Sequence, residues 1–141
     1  MIRVIGKTNV LNLLYEFDDV FPHNREKISN YEEWASKISD NGFAVVTDNN
    51  AHAGMAVFYA NDLKGRKGYI SLIGLKPYFR GKGLGKAFLN DVIEEMKKNG
   101  MNSVLLEVDD DNQSAKDFYT RFGFELEEKR ENTQLLVYKM C

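Results

Sequence analysis

The feature that most constrains this chain is a glycine-rich stretch, RGKGLGK at residues 80–86, which joins an apolar segment to an amphipathic one. The apolar segment, residues 69–75, predicts a strand, and the apolar spacing from residue 84 onwards predicts a helix that ends near residue 98. The first N–H groups of a helix lack partners within it and carry partial positive charge, so they attract anions. Glycines let an anion approach the backbone closely. The stretch therefore predicts a phosphate-binding loop at the start of a helix.

Two common phosphate-binding motifs do not fit this loop. The P-loop requires Ser or Thr directly after its lysine, but Ala87 follows Lys86 here. The dinucleotide fingerprint G-x-G-x-x-G requires a glycine spacing that residues 81–85 do not provide. The loop matches the pattern R-x-x-G-x-G that begins at Arg80, and this short pattern is also typical of a plain glycine-rich helix cap.

Periodicity and turn residues predict the remaining elements. Strands are predicted at residues 1–6, 43–47, 54–59, 69–75, 103–108, 124–129 and 134–140. Helices are predicted at residues 8–19, 31–41, 84–98 and 113–122, with a turn at 49–50 and a polar loop at 62–68. The order β-α-α-β-β-β-α-β-α-β-β over residues 1–141 predicts a single domain of the α/β (α+β) class, with helices on the faces of a mixed sheet.

Composition argues against several classes of function. A formal net charge of -2 does not provide the strong basic field that general nucleic-acid binding needs. The single cysteine, Cys141, excludes an internal disulfide framework and a zinc cluster, and two histidines, His23 and His52, do not favour a histidine-rich metal site. No segment approaches the ~20 apolar residues that span a bilayer, and residues 1–19 lack a signal-peptide core. We therefore expect a cytoplasmic protein with no metal, nucleic-acid or membrane partner.

Two blocks of the sequence together carry a family resemblance. The first is LIGLKPYFRGKGLGKAFL at residues 72–89, and the second is LLEVDDDNQSAKDFYTRFGF at residues 105–124. The second block contains N-x-x-A-x-x-F-Y-x-x-x-G-F, which begins at Asn112. The chain resembles the GCN5-related N-acetyltransferase family over roughly residues 68–126. This resemblance implies a mostly antiparallel central sheet with helices on both faces, acetyl-coenzyme A as donor and a primary amine as acceptor.

The resemblance also assigns the contacts with the cofactor. The end of the fourth strand offers backbone groups to the pantetheine arm, the glycine loop holds the pyrophosphate, and Asn112 contacts the cofactor near its bend. The positions assigned in this way are Ile73, Gly74, Leu75, Arg80, Gly81, Lys82, Gly83, Leu84, Gly85, Lys86 and Asn112. Asn112 also fits the N-cap position of the helix that follows it, and both roles are compatible.

Tyr119 matches the family position that protonates the departing thiolate. The alternative is a core tyrosine, because Ala115, Phe118, Tyr119 and Phe122 recur at helical spacing and form one apolar stripe. A core tyrosine normally places its hydroxyl on a hydrogen-bond partner. The motif favours the catalytic role.

Glu107 is the second acid–base candidate, because it interrupts the otherwise apolar strand VLLEV at residues 104–108. Alternation places its side chain with that of Leu105, on the face opposite Leu106 and Val108. The arrangement resembles the subgroup that acetylates ribosomal-protein N-termini, in which a glutamate at this spacing is the base. The alternative is a glutamate that is satisfied by a neighbouring Lys, Arg or backbone amide.

The sequence gives less information about the acceptor than about the fold or the cofactor. In the family the acceptor site is shaped by the first helices and by the last hairpin loop, here Arg130–Thr133. The acidic residues Asp109–Asp111, Glu32 and Glu33 either attract a cationic amine or form a solvated surface. A protein N-terminus, a free amino acid, a polyamine and an amino sugar all stay open, as do a monomer and a homodimer. A regulatory module that binds acetyl-coenzyme A without turnover is the alternative class of function.

Overall fold

The computed structural model describes residues 1–21, 30–47 and 52–140, and these form seven strands and four helices. The strands are β1 (Ile2–Val4), β2 (Phe43–Val46), β3 (Gly54–Tyr59), β4 (Lys67–Leu75), β5 (Ser103–Asp109), β6 (Glu125–Lys129) and β7 (Thr133–Lys139). The helices are α1 (Lys7–Glu16), α2 (Tyr31–Asn41), α3 (Leu84–Lys98) and α4 (Gln113–Phe122), with a 3-10 turn at Pro77–Phe79. The predicted element order is confirmed.

The strands form one sheet in the order β1-β2-β3-β4-β5-β7-β6. The pairing of β4 with β5 is parallel, and the other pairs of described strands are antiparallel. A parallel pair needs a long crossover, and α3 supplies it. The predicted mixed, mostly antiparallel sheet is therefore confirmed.

Helices cover both faces of the sheet, as predicted. On one face, the core is formed by buried residues of α3 and of the strands, and α4 packs beside them. The residues of α3 are Phe88, Leu89, Val92, Ile93 and Met96, and those of the strands are Val45, Ala56, Phe58, Val104 and Leu106. On the other face, the core is formed by buried residues of α1 and α2 that pack against β2 and β3. The helix residues are Val10, Leu13, Leu14, Ala35 and Ile38, and the strand residues are Ala44, Val46, Met55 and Val57. The apolar faces of α1, α2 and α3 are thus buried, whereas the apolar stripe of α4 is only half-buried.

The strands β4 and β5 separate halfway along their length. Their pairing runs from Lys67 opposite Ser103 to Ile70 opposite Leu106, and the register with β5 ends there although β4 continues to Leu75. In the same place β4 carries a bulge against β3, because Ser71 is an extra residue between two paired positions. A bulge bends the strand and increases its twist. It also puts Ile70 into the core on the α3 face and Leu72 into the core on the α1 face.

Three predicted boundaries were wrong by two or more residues. Strand β1 ends at Val4 rather than at residue 6, because Gly6 is the N-cap of α1. Helix α1 ends at Glu16 rather than near residue 19, because the chain tightens into turns in which the N–H of Asp18 donates to Tyr15 and that of Val20 to Phe17. Strand β4 begins at Lys67, inside the predicted polar loop, because pairing with β5 recruits residues of low strand propensity. The predicted turn at residues 49–50 lies outside the described residues.

None of the helices in the described ranges is long and apolar enough to cross a bilayer.

Gly54 allows β3 to meet the end of β4, and we predict that Gly54→Ala is destabilising. The added Cβ would lie 2.5 Å from Leu75 Cδ2 and 2.8 Å from the carbonyl oxygen of Gly74. Overpacking of this kind costs ~1–3 kcal/mol of unfolding free energy, which urea denaturation measures. Gly85→Ala is the matched control, since its Cβ would meet Leu75 at an ordinary 3.7 Å. Equal stability of the two variants would contradict this description of the β3–β4 contact.

Candidate functional site

A cavity of about 510 Å³ occupies the gap where β4 and β5 separate. Its lining comes from both faces of the sheet. From the α1 and α2 face it includes Val20, Phe21, Trp34 and Leu72. From the α3 and α4 face it includes Ile73, Leu75, Arg80, Ala115 and Tyr119, with Leu106 to Asp109 on the β5 side. The gap therefore joins the two faces of the sheet, so molecules approaching from opposite sides can meet within it.

Several of the predicted site residues line this cavity together. They are Ile73, Gly74, Leu75, Arg80, Glu107, Asn112 and Tyr119. The loop residues Gly81–Lys86 are not part of the lining, but the loop adjoins one end of it. A Cβ on Gly85 would lie 3.7 Å from Leu75 and 3.8 Å from Phe118. The glycine loop and the cavity are thus neighbouring parts of one surface.

The second half of β4 has a backbone edge that faces the gap rather than another strand. One edge of this segment pairs with β3. The other edge, which faces the gap, is no longer paired with β5 beyond Ile70. Arg80 closes the end of the strand, because its Nε donates to the carbonyl oxygen of Leu75 at 3.1 Å. Pro77 begins a 3-10 turn directly afterwards and ends the ladder. An extended molecule with amide groups can pair with such an edge as an added strand would.

Gly74 permits a close approach at this edge. The Cβ of any other residue there would lie 2.9 Å from Cζ of Phe21 and 3.1 Å from Cγ1 of Val20. The segment after α1 therefore packs directly on the β4 backbone and forms one wall of the cavity.

The glycine loop has the conformation that its sequence requires. Gly81 and Gly83 have φ values of 75° and 78°, in the left-handed region that favours glycine. A Cβ on either residue would have no heavy atom within 4 Å, so the space beside the backbone is open. Gly83 is the N-cap of α3 and provides no side-chain hydrogen bond to the first turn. The first N–H groups of α3 are therefore available to an anion.

Tyr119 lines the cavity and is packed between aromatic rings. Its ring centroid lies 5.3 Å from that of Phe118 and 5.4 Å from that of Phe124. Within the described part of the chain, its hydroxyl forms no hydrogen bond, which differs from the behaviour of a typical core tyrosine. Burial raises the pKa of Tyr119 to about 12. The phenol therefore keeps its proton at neutral pH and is available as a proton donor.

Glu107 lines the cavity from β5, on the face opposite the buried Leu106 and Val108, as alternation predicts. Its Oε2 accepts a hydrogen bond of 2.6 Å from Nη1 of Arg130. Arg130 also donates from Nε to Oε2 of Glu128 at 2.8 Å. Arg130 is thus the neighbouring arginine that a structural role for Glu107 requires. The carboxylate of Glu107 also lines the cavity, which a catalytic role requires.

Asn112 has the capping role that its position predicts, because its side chain accepts a hydrogen bond of 3.1 Å from the N–H of Ala115. It also lines the cavity. The acidic loop before it is partly structural, since Asp110 pairs with Lys129 at 2.6 Å. On α2, Glu33 pairs with Lys37 at 3.5 Å. Of these acidic residues only Asp109 contributes to the lining.

The family resemblance placed the acceptor site at the first helices, but the sequence did not identify which of their residues line the cavity. Val20, Phe21 and Trp34 lie in or near helices whose apolar residues mostly enter the core, so nothing in their pattern separates them from core residues. Tyr69 also lines the cavity, although its sequence context is that of an ordinary strand residue. Burial raises the pKa of its phenol, and the negative charge of Glu107 raises it further. His23 and Cys141 lie outside the described residues.

Comparison with known proteins places the sequence among acetyltransferases. The sequence matches the acetyltransferase (GNAT) family over residues 9–124. An uncharacterised N-acetyltransferase of Methanocaldococcus jannaschii is 34% identical over 116 residues, which cover 79% of this chain and 51% of that protein. N-alpha-acetyltransferase 50 of Danio rerio is 29% identical over 133 residues, which cover 83% of this chain and 78% of that protein. The chain thus spans about half the length of the archaeal relative.

Solved structures show the same fold at low sequence identity. The paiA N-acetyltransferase of Thermoplasma acidophilum, solved in complex with coenzyme A, has a TM-score of 0.71 and 17% identity. The match covers 99% of this chain and 98% of that one.

The raised pKa of Tyr119 predicts how stability changes in alkali. The unfolded phenol ionises near pH 10, whereas the folded phenol keeps its proton to about pH 12. Between these values the folded state binds more protons, so stability falls as pH rises. We expect urea unfolding of Tyr119→Phe to show a shallower fall between pH 10 and 12, with stability at pH 8 within ~0.5 kcal/mol of wild type. A loss of about 1 kcal/mol at pH 8 would indicate a structural hydrogen bond instead.

Proposed function

The chain belongs to the GNAT acetyltransferase family, and we propose that it transfers an acetyl group from acetyl-coenzyme A directly to a primary amine. The observation that carries the proposal is the gap between β4 and β5, which begins beside the glycine loop and contains both Glu107 and Tyr119. Both substrates would meet there in a ternary complex, with no acetyl-enzyme intermediate. Proximity and orientation then supply much of the rate.

The residues around the gap fit the parts of the cofactor. The free edge of β4 at Ile73–Leu75 pairs with the amides of the pantetheine arm. The open backbone at Gly81–Lys86 and the positive end of α3 bind the pyrophosphate. Arg80 and Lys82 add positive charge beside it. Asn112 contacts the cofactor where it bends, in addition to capping α4.

Glu107 and Tyr119 have opposite tasks in the transfer. Only a neutral amine attacks a thioester, and free amines have pKa values of ~8 for an α-amino group and ~10.4 for lysine. Glu107 therefore takes a proton from the ammonium group, directly or through a water molecule. Tyr119 donates its proton to the departing sulfur, since burial keeps the phenol neutral and its hydroxyl is not occupied by a described protein group. A backbone N–H of β4 stabilises the negative charge that develops on the carbonyl oxygen.

The acceptor is a protein N-terminus or a small amine. Its amine enters from the α1 and α2 side, where Phe21, Trp34 and Tyr69 form the cavity wall. The name of the Danio rerio relative refers to α-amino groups. Peptides with free N-termini are therefore the first acceptors to test.

We predict that acetyl-coenzyme A loses its acetyl group in an amine-dependent reaction, measured as thiol release. The panel comprises N-terminal peptides, amino acids, polyamines and amino sugars. With an active acceptor, Tyr119→Phe should be slower by ~10²–10⁴-fold, because general-acid catalysis is lost. Tyr15→Phe is the control, since Tyr15 is exposed on α1 and does not line the cavity. Binding of acetyl-coenzyme A without release by any amine would instead indicate a regulatory module.

We also predict that Gly83→Asp weakens acetyl-coenzyme A binding while the protein stays folded. The new carboxylate would lie where phosphate binds, and the open space accepts its Cβ. Gly83→Asn is the matched control, because it adds the same shape at the same positive φ without the charge. Calorimetry should show a larger loss of affinity for Asp than for Asn. Equal affinities would place the pyrophosphate elsewhere.

A further inference from the structure

Arg130 connects three elements and contacts Glu107, which lines the cavity. It lies in the turn between β6 and β7, and its N–H donates to the carbonyl oxygen of Thr133 at 2.9 Å. Its side chain, about half exposed, reaches across to β5 and donates from Nη1 to Glu107 at 2.6 Å. Its Nε donates to Glu128 of β6 at 2.8 Å. One guanidinium thus fixes two carboxylates at once, which a lysine ammonium on its flexible stem does less well.

The contact divides the two oxygens of Glu107 between two environments. Oε2 is taken by Arg130, whereas Oε1 accepts no hydrogen bond from the residues that the structure describes. The side chain of Glu107 lines the cavity, so Oε1 is the oxygen left for an arriving group. An ionised carboxylate accepts from several donors and can hold Arg130 and an ammonium group together.

We propose that Arg130 is a positioning residue for the acceptor amine, because it fixes the carboxylate of Glu107 so that Oε1 receives the ammonium group. The proposal rests on the acetyl-transfer function proposed above. Arg130 itself stays on the far side of Glu107 and does not touch the reacting atoms.

The charges around Glu107 suit a cationic acceptor. Arg130 lies between the two carboxylates of Glu107 and Glu128, so these three groups carry one net negative charge. An ammonium group at Oε1 neutralises it. Asp109 lies on the same side of β5, and Tyr69 faces Glu107 from β4 as a neutral phenol whose pKa is raised by burial and by that carboxylate. The loss of Arg130 would free Glu107 to rotate and would leave two neighbouring carboxylates without their shared cation.

A double-mutant cycle with Arg130→Met and Glu107→Gln tests the assignment. With an active amine, Arg130→Met should raise the KM for the amine by about tenfold, the loss expected for one charge-assisted hydrogen bond, and leave the KM for acetyl-coenzyme A unchanged. The double variant should be no worse than Glu107→Gln alone, because Arg130 acts through Glu107. Arg130→Lys should recover part of the amine affinity.

Lys129→Met is the matched control, because Lys129 lies in the same hairpin and pairs with Asp110 rather than with Glu107. It should leave the KM for the amine unchanged. Additive effects in the cycle, or an equal rise in KM for Lys129→Met, would show that Arg130 only stabilises the hairpin. Either result would overturn the positioning role of Arg130 but not the proposed acetyl transfer. Wild-type protein that is inactive with every amine would overturn the proposed function and this assignment with it.

Discussion

The pairing of β4 with β5 ends at Ile70 and Leu106, and the arrangement of the site depends on this break. Before it, the parallel pair joins the two halves of the sheet and requires α3 as its crossover. After it, each strand keeps its outer partner, β3 or β7, so both stay rigid while their inner edges separate. The result is a gap between two strands that each stay paired along their outer edges. The bulge at Ser71 supports the same geometry, because it bends β4 where β5 leaves it.

The beginning of α3 is placed by the same connection. A right-handed crossover from β4 to β5 starts at the end of β4, so the helix must begin beside the gap. Its positive end then lies next to the end of β4, since a Cβ on Gly85 in its first turn would lie 3.7 Å from Leu75. In a chain with a formal net charge of -2, Arg80, Lys82 and Lys86 concentrate positive charge at this one point. The fold thus places an anion site and a strand-like edge in a continuous path, which suits a cofactor with a charged end and an amide-containing arm.

The sequence predicted the parts of this site that depend on local patterns. Helical spacing gave α3 with its buried face and α4 with its half-buried one, and the glycines at 81 and 83 have the positive φ values that make glycine necessary. Alternation along β5 gave the face of Glu107. Asn112 caps α4 as its position before the helix suggests.

The parts that depend on contacts distant in sequence could not be predicted. Ser71 is an ordinary residue within an apolar strand, so nothing marks it as a bulge until β3 and β5 are in place. The pair between Arg130 and Glu107 spans 23 residues and is defined by the register of β5 with β7. Phe21 reaches the cavity only because Gly74 leaves room for it on another element. Such features follow from tertiary packing and not from local propensity.

The central claim is that the cofactor lies along the free edge of β4 with its pyrophosphate at the start of α3. Titration of the backbone amide spectrum with coenzyme A, followed by two-dimensional NMR, tests it most directly because it reports each N–H separately. We expect the largest shifts at residues 71–75 and 81–86, with small changes in β1, β2 and β6. Saturating binding that leaves the amides of residues 71–75 and 81–86 unmoved would contradict the account.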